Sequence, residues 1–332
     1  MIKIAVLGYG TVGSGVVEVI QTNQEVINQR IGEELEIKYI LDLRDFPGSP
    51  IEHLVVHDFE QIVNDEEVQI VVEVMGGIEP AYTFVKRSLL ASKSVATSNK
   101  ALVAKHGAEL LAIAKEKQIN FLYEASVGGG IPIIRPLTSS LTGDVIEEIT
   151  GILNGTTNYM MSKMYHENAD YDAVLKEARA RGYAERDPSA DVEGHDACRK
   201  IAILSSIICG KLVDFEDIYT EGITKVTLED IQYAKAMDMK IKLLASCKRD
   251  GDKLCAIVAP HLVSKDHPLY NIEDVFNAIF VTGDALGEAM FMGRGAGRYP
   301  TASAVCGDII NAARNLIHNE GNRVNCTCFE EK

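Results

Sequence analysis

Five carboxylates and an Arg-Lys pair lie close together between Gly182 and Lys200, in the stretch GYAERDPSADVEGHDACRK. Asp196 and Lys200 are four residues apart, so on a helix they share one face. The next residues, IAILSSIICG, are almost all apolar, which places the lysine at the mouth of a buried helix. A lysine there, beside carboxylates, can act as a proton donor with a tuned pKa. The alternative is an ordinary exposed ion pair, but the density of acids favours a functional site.

The elements around this stretch can be predicted from its helix breakers. Asp172 to Ala180 has the spacing of an amphipathic helix, and Gly182 fits the position just after its end. Gly182 and Pro188 keep the first half of the stretch out of a regular helix, since proline fixes φ and has no backbone N–H. We therefore predict a second helix from about Asp191 to Ile208.

A glycine-rich turn of the form GxGxxG follows the first predicted strand. Lys3 to Leu7 is a short apolar run, GYGTVG occupies residues 8 to 13, and helical spacing follows. In this setting the glycines permit a tight turn and a close approach to a pyrophosphate, which the helix N-terminus holds. A glycine turn without a ligand is the alternative, but the position between strand and helix argues against it. The predicted cofactor contacts of the turn are Gly8, Gly10, Thr11, Val12 and Gly13.

The choice between NAD and NADP depends on two residues after the second predicted strand. An acid there binds the ribose 2′-hydroxyl, whereas an arginine accommodates a 2′-phosphate. Asp42 and Arg44 are both present, so the two signals conflict. Because an arginine can pair with a phosphate and stack on adenine, we assign Arg44 to the cofactor. The prediction is NADP(H), with NAD(H) also accepted.

Short apolar strands alternate with helices over residues 1 to 132. That alternation is typical of an α/β fold with a doubly wound parallel sheet of the Rossmann type. Ligands of such sheets bind beyond the carboxyl ends of the strands. Thr97 ends a predicted strand and Lys100 follows it, so both are placed at the cofactor crevice. A plain surface lysine is the alternative for Lys100.

A second domain is predicted for residues 133 to 300. Hairpins are expected at Lys240 to Ser264 and at Asn277 to Phe291, where glycine-containing turns separate strand-like runs. Antiparallel strands with helices on one face indicate an α+β catalytic and dimerisation domain with a mixed or antiparallel sheet. An open edge or face of that sheet suits a homodimer. A helix at about 300 to 318 is expected to pack back on the first domain, and 319 to 332 form a short tail.

Composition argues against several classes of protein. The net charge of −15 argues against nucleic acid as a partner, since phosphates attract basic patches. No apolar run approaches the length of a membrane span, and no signal peptide precedes the first strand. The seven cysteines have no framework spacing, which fits reduced thiols in the cytoplasm. Cys326 and Cys328 lie in the polar tail, where a metal site is not expected.

A second glycine-rich segment, EASVGGGIP, occupies residues 124 to 132. Its glycines free several carbonyl groups from helix or sheet pairing, and with Glu124 these oxygens can surround a hard cation. A hinge between the two domains explains the same residues equally well.

Four separated motifs together resemble homoserine dehydrogenase. They are SNKALVAKHG, EASVGGGIPI, GILNGTTNYM and ERDPSADVEGHDACRK, and the resemblance extends from Met1 to about Leu316. The family reduces L-aspartate 4-semialdehyde to L-homoserine with NADPH or NADH, in the route to threonine and methionine. The resemblance therefore implies an NAD(P)-dependent oxidoreductase with a small amino-acid substrate.

The resemblance also implies roles for individual residues. Lys200 is the implied catalytic lysine, with Asp196 beside it, and Lys100 lies near the nicotinamide and the substrate. The implied substrate-binding residues are Gly182, Glu185, Asp191 and Asp196. Gly297 matches a glycine that contacts the cofactor. The implied sodium ligands are the Glu124 side chain and the carbonyl groups of Val127, Gly129 and Ile131.

Two alternative classes stay open at this point. One is another NAD(P)-dependent amino-acid or aldehyde dehydrogenase of the same fold, and an acylating enzyme would need an activated cysteine such as Cys198. The other is a non-catalytic dinucleotide sensor that kept the fold. Many members of the family continue into an ACT-type regulatory domain, through which threonine inhibits. The roughly sixteen residues after Leu316 are too few for such a domain, so this inhibition is not expected.

Overall fold

The computed structural model describes residues 1–251 and 253–318, and the chain forms two compact units. Unit 1 contains residues 1–139, residues 210–212 and the described residues from 297 onward. Unit 2 contains the described residues of 140–209 and 213–296. The predicted tail, with Cys326 and Cys328, lies outside the described residues. Within those residues, no helix is both long enough and apolar enough to cross a membrane.

Strands and helices are numbered in chain order. The strands are β1 (Ile2–Leu7), β2 (Leu35–Leu41), β3 (Val55–Val56), β4 (Val68–Glu73), β5 (Ser94–Thr97), β6 (Phe121–Leu122), β7 (Ile146–Ile152), β8 (Tyr219–Thr220), β9 (Met239–Asp250), β10 (Lys253–Ser264), β11 (Phe276–Gly283) and β12 (Gly287–Arg294). The α-helices are α1 (Thr11–Thr22), α2 (Gln24–Ile31), α3 (Glu60–Val63), α4 (Ala81–Leu90), α5 (Lys100–Lys117), α6 (Gly155–Glu167), α7 (Tyr171–Ala180), α8 (Ser189–Val192), α9 (His195–Cys209), α10 (Leu228–Ala236) and α11 (Arg298–Ile317).

Unit 1 is built on a parallel sheet with the strand order β3-β2-β1-β4-β5-β6. Its central strands are apolar runs, and Ile4 and Val6 in β1 and Ile70 and Val72 in β4 are all fully buried. The strand order changes direction between β1 and β4, which is where sheets of this kind form their ligand crevice. The predicted doubly wound sheet is confirmed.

The last helix, α11, belongs to the core of unit 1. It packs along α1 at Gly15, where a Cβ would lie 2.8 Å from the Arg298 carbonyl oxygen. Val305 and Ile309 of α11 are buried in the same apolar cluster as β1 and α1. A segment that begins near residue 297 therefore completes a core whose other members lie before residue 139.

Unit 2 contains a mixed sheet with the order β12-β11-β7-β9-β10-β8. Neighbouring strands run antiparallel, except β8, which pairs in parallel with β10. Both predicted hairpins are confirmed, since β9 pairs with β10 and β11 pairs with β12 along their lengths. The mixed sheet with its helices is the α+β layer expected from the sequence.

The helix predicted from Asp191 to Ile208 is two helices in the structure. α8 ends at Val192 and α9 begins at His195. Gly194 between them has φ +86°, a left-handed conformation that interrupts a right-handed helix. The break places Asp196 in the first turn of α9.

Two other helix boundaries differ from the prediction. The sequence pattern predicts a helix from Ala104 to Lys117, but α5 already begins at Lys100, because the Asn99 side chain accepts a hydrogen bond from the Leu102 N–H and caps the helix. The sequence also predicts a helix over residues 133 to 141, but the structure has only a short helical segment there, which includes the π-helical turn Pro136–Ser140.

Candidate active site

A buried ion pair lies near the start of α9. The Lys200 ammonium donates to Asp196 Oδ2 at 2.8 Å and to the Leu153 carbonyl oxygen at 2.7 Å. The lysine and aspartate side chains are 8% and 5% exposed, so they are largely shielded from water. The predicted pairing of the two residues on one helix face is confirmed. A lysine held in this way can exchange a proton with an oxygen atom brought beside it.

Asn154 joins two carboxylates to this pair. Its Oδ1 accepts the Thr157 backbone N–H at 2.9 Å and so caps α6. Its amide nitrogen donates to Asp191 Oδ1 at 2.8 Å and to Asp196 Oδ2 at 3.0 Å. The polar turn at residues 154 to 159 suits a helix cap, but no sequence spacing relates Asn154 to the two acids. The available signal was the residue type, because an asparagine accepts and donates at once.

The other predicted substrate contacts, Gly182 and Glu185, lie on the loop between α7 and α8. Gly182 has φ +74°, and its N–H donates to the Arg179 carbonyl at 3.0 Å, so it follows the end of α7 as predicted. The Thr156 hydroxyl donates to the Tyr183 carbonyl at 2.7 Å, which fixes the loop to α6. Glu185 is exposed, and no hydrogen bond is described between its side chain and another described residue. The structure therefore leaves this carboxylate at the surface, outside the buried group.

Cys198 lacks the surroundings of a catalytic nucleophile. Its thiol donates to the Phe215 carbonyl at 3.2 Å, and burial raises the pKa of the Cys198 thiol. An activated cysteine has a lowered pKa instead. The alternative of an acylating enzyme therefore has no support at this position.

In unit 1 the predicted dinucleotide turn has the geometry that its glycines suggest. Gly8 has φ +97°, a conformation that other residues rarely adopt. A Cβ at Gly13 would lie 1.9 Å from the Gly8 carbonyl oxygen, so the turn closes only with glycine there. At Gly10 a Cβ would meet nothing within 4 Å, which leaves open space before Thr11 and Val12 begin α1. The residues present fit the pyrophosphate of a dinucleotide.

Asp42 and Arg44, the two conflicting signals for cofactor choice, pair with each other. Asp42 Oδ2 accepts the Tyr9 N–H at 2.9 Å, and its Oδ1 accepts the Arg44 Nε–H at 2.9 Å. The Arg44 guanidinium holds the pKa of the Asp42 carboxyl well below its usual range. The aspartate side chain is 10% exposed and the arginine side chain 61%. The acid therefore fixes the glycine turn, while the arginine stays accessible.

Thr97 is the last residue of β5, and Lys100 lies just beyond its carboxyl end, as predicted. The Thr97 hydroxyl donates to Glu73 Oε2 at 2.6 Å. Glu73 ends β4, is fully buried and accepts the Met75 N–H at 2.8 Å. Burial raises the pKa of the Glu73 carboxyl. Lys100 is half-buried and is the first residue of α5. Glu73 is a site residue not predicted above, although an acid at the end of an apolar strand is a usable signal.

Gly297 directly precedes α11. It has φ +125°, a conformation that favours glycine, and a Cβ there would lie 3.4 Å from the Pro300 ring. Its contact with the cofactor stays a prediction.

The Glu124 carboxylate accepts four hydrogen bonds from residues 133 to 135 of its own segment. Oε1 accepts the backbone N–H groups of Ile133 at 2.6 Å and Ile134 at 2.9 Å. Oε2 accepts the backbone N–H of Arg135 at 2.7 Å and its side-chain Nε–H at 3.1 Å. A carboxylate has about four acceptor sites, so in this structure the four donors occupy the acceptor sites at which sodium was expected. Over the described ranges, no group of three or more His, Cys, Asp or Glu residues is arranged to hold a metal.

Two family models and many relatives match the chain. The model "Homoserine dehydrogenase, NAD binding domain" matches residues 8–124, and "Homoserine dehydrogenase" matches residues 132–310. The homoserine dehydrogenase of Synechocystis sp. is 46% identical over 329 residues, which cover 97% of this chain and 75% of that protein.

Solved structures support the same assignment. A homoserine dehydrogenase from Thiobacillus denitrificans aligns with a TM-score of 0.92 at 40% identity, covering 98% of this chain and 76% of that one. A hyperthermophilic archaeal homoserine dehydrogenase in complex with NADPH aligns with a TM-score of 0.80 at 30% identity, covering 94% and 97%. The resemblance found in the motifs is confirmed. The chain belongs to the homoserine dehydrogenase family and is an NAD(P)-dependent oxidoreductase that acts on a CH–OH group.

Proposed function

We propose that Lys200 is the proton donor when this homoserine dehydrogenase reduces L-aspartate 4-semialdehyde to L-homoserine. The observation that carries the proposal is the buried ammonium of Lys200, held on Asp196. When bound, NAD(P)H would supply the hydride that adds to the aldehyde carbon. The carbonyl oxygen then carries developing negative charge and must gain a proton. Lys200 gives its proton to that oxygen in reduction and takes one from the alcohol in oxidation.

The substrate is proposed to bind through its charged amino-acid groups. Carboxylates attract its ammonium group, and Asp191, Asp196 and Glu185 supply them at three levels of exposure, from exposed to buried. The backbone at Gly182, a turn of left-handed conformation, is proposed to contact the rest of the amino acid. This arrangement requires no covalent nucleophile.

The cofactor is proposed to bind along the glycine turn of residues 8–13, with Thr97, Lys100 and Gly297 as further contacts. We propose a preference for NADP(H) over NAD(H), because Arg44 is exposed and Asp42 is already neutralised by it. The test is Arg44→Ala. A drop in kcat/KM for NADPH of about tenfold relative to NADH is expected from the loss of a charged hydrogen bond to phosphate. Equal changes with both cofactors would contradict the assignment.

A sodium site is proposed on backbone oxygens alone. The carbonyl groups of Val127, Gly129 and Ile131 lie in the glycine-rich turn after Glu124, and hard cations take oxygen ligands. The Glu124 carboxylate holds the segment that follows this turn instead of binding the ion. Activity in sodium chloride, compared with tetramethylammonium chloride at equal ionic strength, tests the site. Equal rates and equal melting temperatures in the two salts would contradict it.

A cytoplasmic homodimer is proposed for the assembly. Met290 and Met292 of the edge strand β12 are 41% and 51% exposed, and apolar side chains on a sheet edge suit a second copy. All described cysteines are free, which fits a reducing compartment. Sedimentation velocity at micromolar concentration would show the dimer, and a single monomer species would contradict it.

The central experiment follows NAD(P)H by absorbance during homoserine oxidation at alkaline pH. NAD⁺ and NADP⁺ are compared in parallel, and wild type is compared with Lys200→Ala. Substrate-dependent reduction of the cofactor by wild type, and its near loss in the variant, are expected. Binding of the cofactor without turnover by wild type would instead indicate a dinucleotide sensor.

A further inference from the structure

We propose that Asn154 is a positioning residue that sets the distance between Asp191 and Asp196 and thereby the place of the Lys200 ammonium. The proposal deepens the proposed function and rests on the roles given there to the two acids and the lysine. No family motif above assigns a role to this side chain.

The position of Asn154 explains how one residue reaches the whole group. It directly follows Leu153, whose carbonyl accepts the Lys200 ammonium at 2.7 Å. The Asn154 amide and Lys200 donate to the same oxygen, Asp196 Oδ2, at 3.0 and 2.8 Å. Two consecutive residues at the end of β7 therefore fix the lysine, one directly and one through Asp196.

The residue type cannot be explained by helix capping alone. Serine, threonine, aspartate and asparagine all cap a helix N-terminus, because each offers an oxygen to a backbone N–H. Asparagine alone among them also carries an NH₂ group with two donors. In Asn154 both functions are used, since Oδ1 caps α6 and Nδ2 donates to Asp191 and Asp196.

The amide also holds two like charges near each other. Asp191 Oδ1 and Asp196 Oδ2 lie 2.8 and 3.0 Å from the same nitrogen. Without that donor, repulsion favours a larger separation of the carboxylates, and the half-buried Asp191 can turn toward water. The two carboxylates would then have to come together again before both could contact a substrate ammonium, which weakens substrate binding.

The test compares two substitutions that keep the cap. Asn154→Ser retains an oxygen for the Thr157 N–H but loses the donor to the acids. Asn154→Asp retains the shape and the cap but adds a third carboxylate beside the other two. Asp170→Ser is the matched control, because Asp170 caps α7 through the Ala173 N–H and is exposed.

For Asn154→Ser we expect the KM for homoserine to rise about tenfold and kcat to fall by a similar factor, the size of one hydrogen bond to a charged group. For Asn154→Asp we expect, in addition, an upward shift of the pH at which homoserine oxidation is half-maximal. An added negative charge favours the protonated lysine, which must lose its proton to act in oxidation. Cofactor affinity and the Asp170→Ser kinetics should stay within twofold of wild type.

A purely structural role predicts a different result. Asn154→Ser would then lower the melting temperature as Asp170→Ser does and leave KM, kcat and the pH profile of the folded enzyme unchanged, which would overturn the proposal. Should the serine variant fail to fold, an unshifted profile in Asn154→Asp overturns it equally. Wild-type turnover in Lys200→Ala would contradict the proton-donor role alone, and the KM effect of Asn154→Ser would still support the positioning of the carboxylates.

Discussion

Two largely buried groups of charged and polar side chains, one in each unit, differ in where their hydrogen-bond donors come from. The group in unit 1, called the Glu124 group, contains Glu124, Arg135 and Asp308. The group in unit 2, called the Lys200 group, contains Asn154, Asp191, Asp196 and Lys200. In the Glu124 group, three of the four donors to the carboxylate are backbone N–H groups. In the Lys200 group the Asn154 amide and the Lys200 ammonium, both on side chains, donate to the acids.

This difference separates a group that stabilises the fold from one that can bind a ligand. Backbone donors are fixed by the chain, so the Glu124 carboxylate cannot exchange them without unfolding its segment. Side-chain donors such as the Lys200 ammonium can turn toward a substrate when one arrives. The acids also range from the buried Asp196 to the half-buried Asp191, which opens the group toward water. Burial of charge alone therefore does not identify a catalytic site, since structural ion pairs are buried as well.

The strongest test of the comparison is Lys200→Ala. We expect kcat to fall by about 10² to 10⁴, the usual contribution of a positioned acid or base. Cofactor binding, measured by NAD(P)H fluorescence, should stay near wild type, because the dinucleotide turn lies in unit 1. Lys248→Ala is the control, since that lysine is 69% exposed and pairs with Glu148. Retained turnover in Lys200→Ala would contradict the assignment of the Lys200 group to catalysis.

Glu124→Ala should affect stability. Four N–H donors would lose their acceptor, and breaking a buried charged group costs about 3–5 kcal/mol of unfolding free energy. Urea denaturation measures the loss. Glu167→Ala is the control, because its ion pair with Lys163 is exposed and should be worth less than about 1 kcal/mol. A loss no larger than in the control would show that the segment does not depend on Glu124.

Asp308→Asn should change the pH dependence of stability. Burial raises the pKa of Asp308 to about 7, so between roughly pH 4 and 7 the folded protein holds a proton that the unfolded chain has released. The resulting stabilisation is present at low pH and is lost as the pH rises through about 7. An asparagine does not titrate, so the fall in unfolding free energy between pH 5 and 8 should shrink by on the order of 2 kcal/mol. Urea denaturation at pH 5 and pH 8 measures this change. An equal change in unfolding free energy in wild type and variant would contradict the prediction.

The smallest expected effect comes from the exposed edge of the substrate site. Glu185→Gln should raise the KM for homoserine about tenfold, the value of a charged hydrogen bond to the substrate ammonium, with little change in kcat. Asp187→Asn is the control on the same loop, because that carboxylate already accepts the Ser189 N–H at 3.1 Å. If both variants bind substrate like wild type, the ammonium is held by the buried acids alone.

The features that could be predicted from the sequence depend on residues close together in the chain. The strands of unit 1 are continuous apolar runs, the glycine turn spans residues 8–13, and Asp196 and Lys200 are one helical turn apart. Each of these is set by local periodicity or by backbone conformation. The positions of the four family motifs added the family and its reaction.

The features that were missed depend on contacts between distant residues. The Asn154 amide reaches acids 37 and 42 positions away, which no spacing rule relates to it. The Glu124 carboxylate accepts hydrogen bonds from N–H groups 9 to 11 residues further along the chain. Whether it has acceptor sites left for a cation could therefore be judged only from the folded segment. The helix break at Gly194 was local, but a single glycine in a helical pattern is usually tolerated.

The two main segments of unit 1, residues 1–139 and the described residues from 297 onward, constrain the order in which the protein can fold during synthesis. All strands of its sheet have been made by residue 122, yet α11 follows only after the whole of unit 2. At 5–20 residues per second the ribosome needs roughly 10 to 30 s to add the intervening segment. During that time the face of α1 at Gly15 and Val16 has no α11 to cover it, while unit 2 can complete its own sheet. The N-terminal part of the nascent chain therefore exposes an apolar surface until α11 has been made. A chaperone that binds such surfaces can protect it during that time.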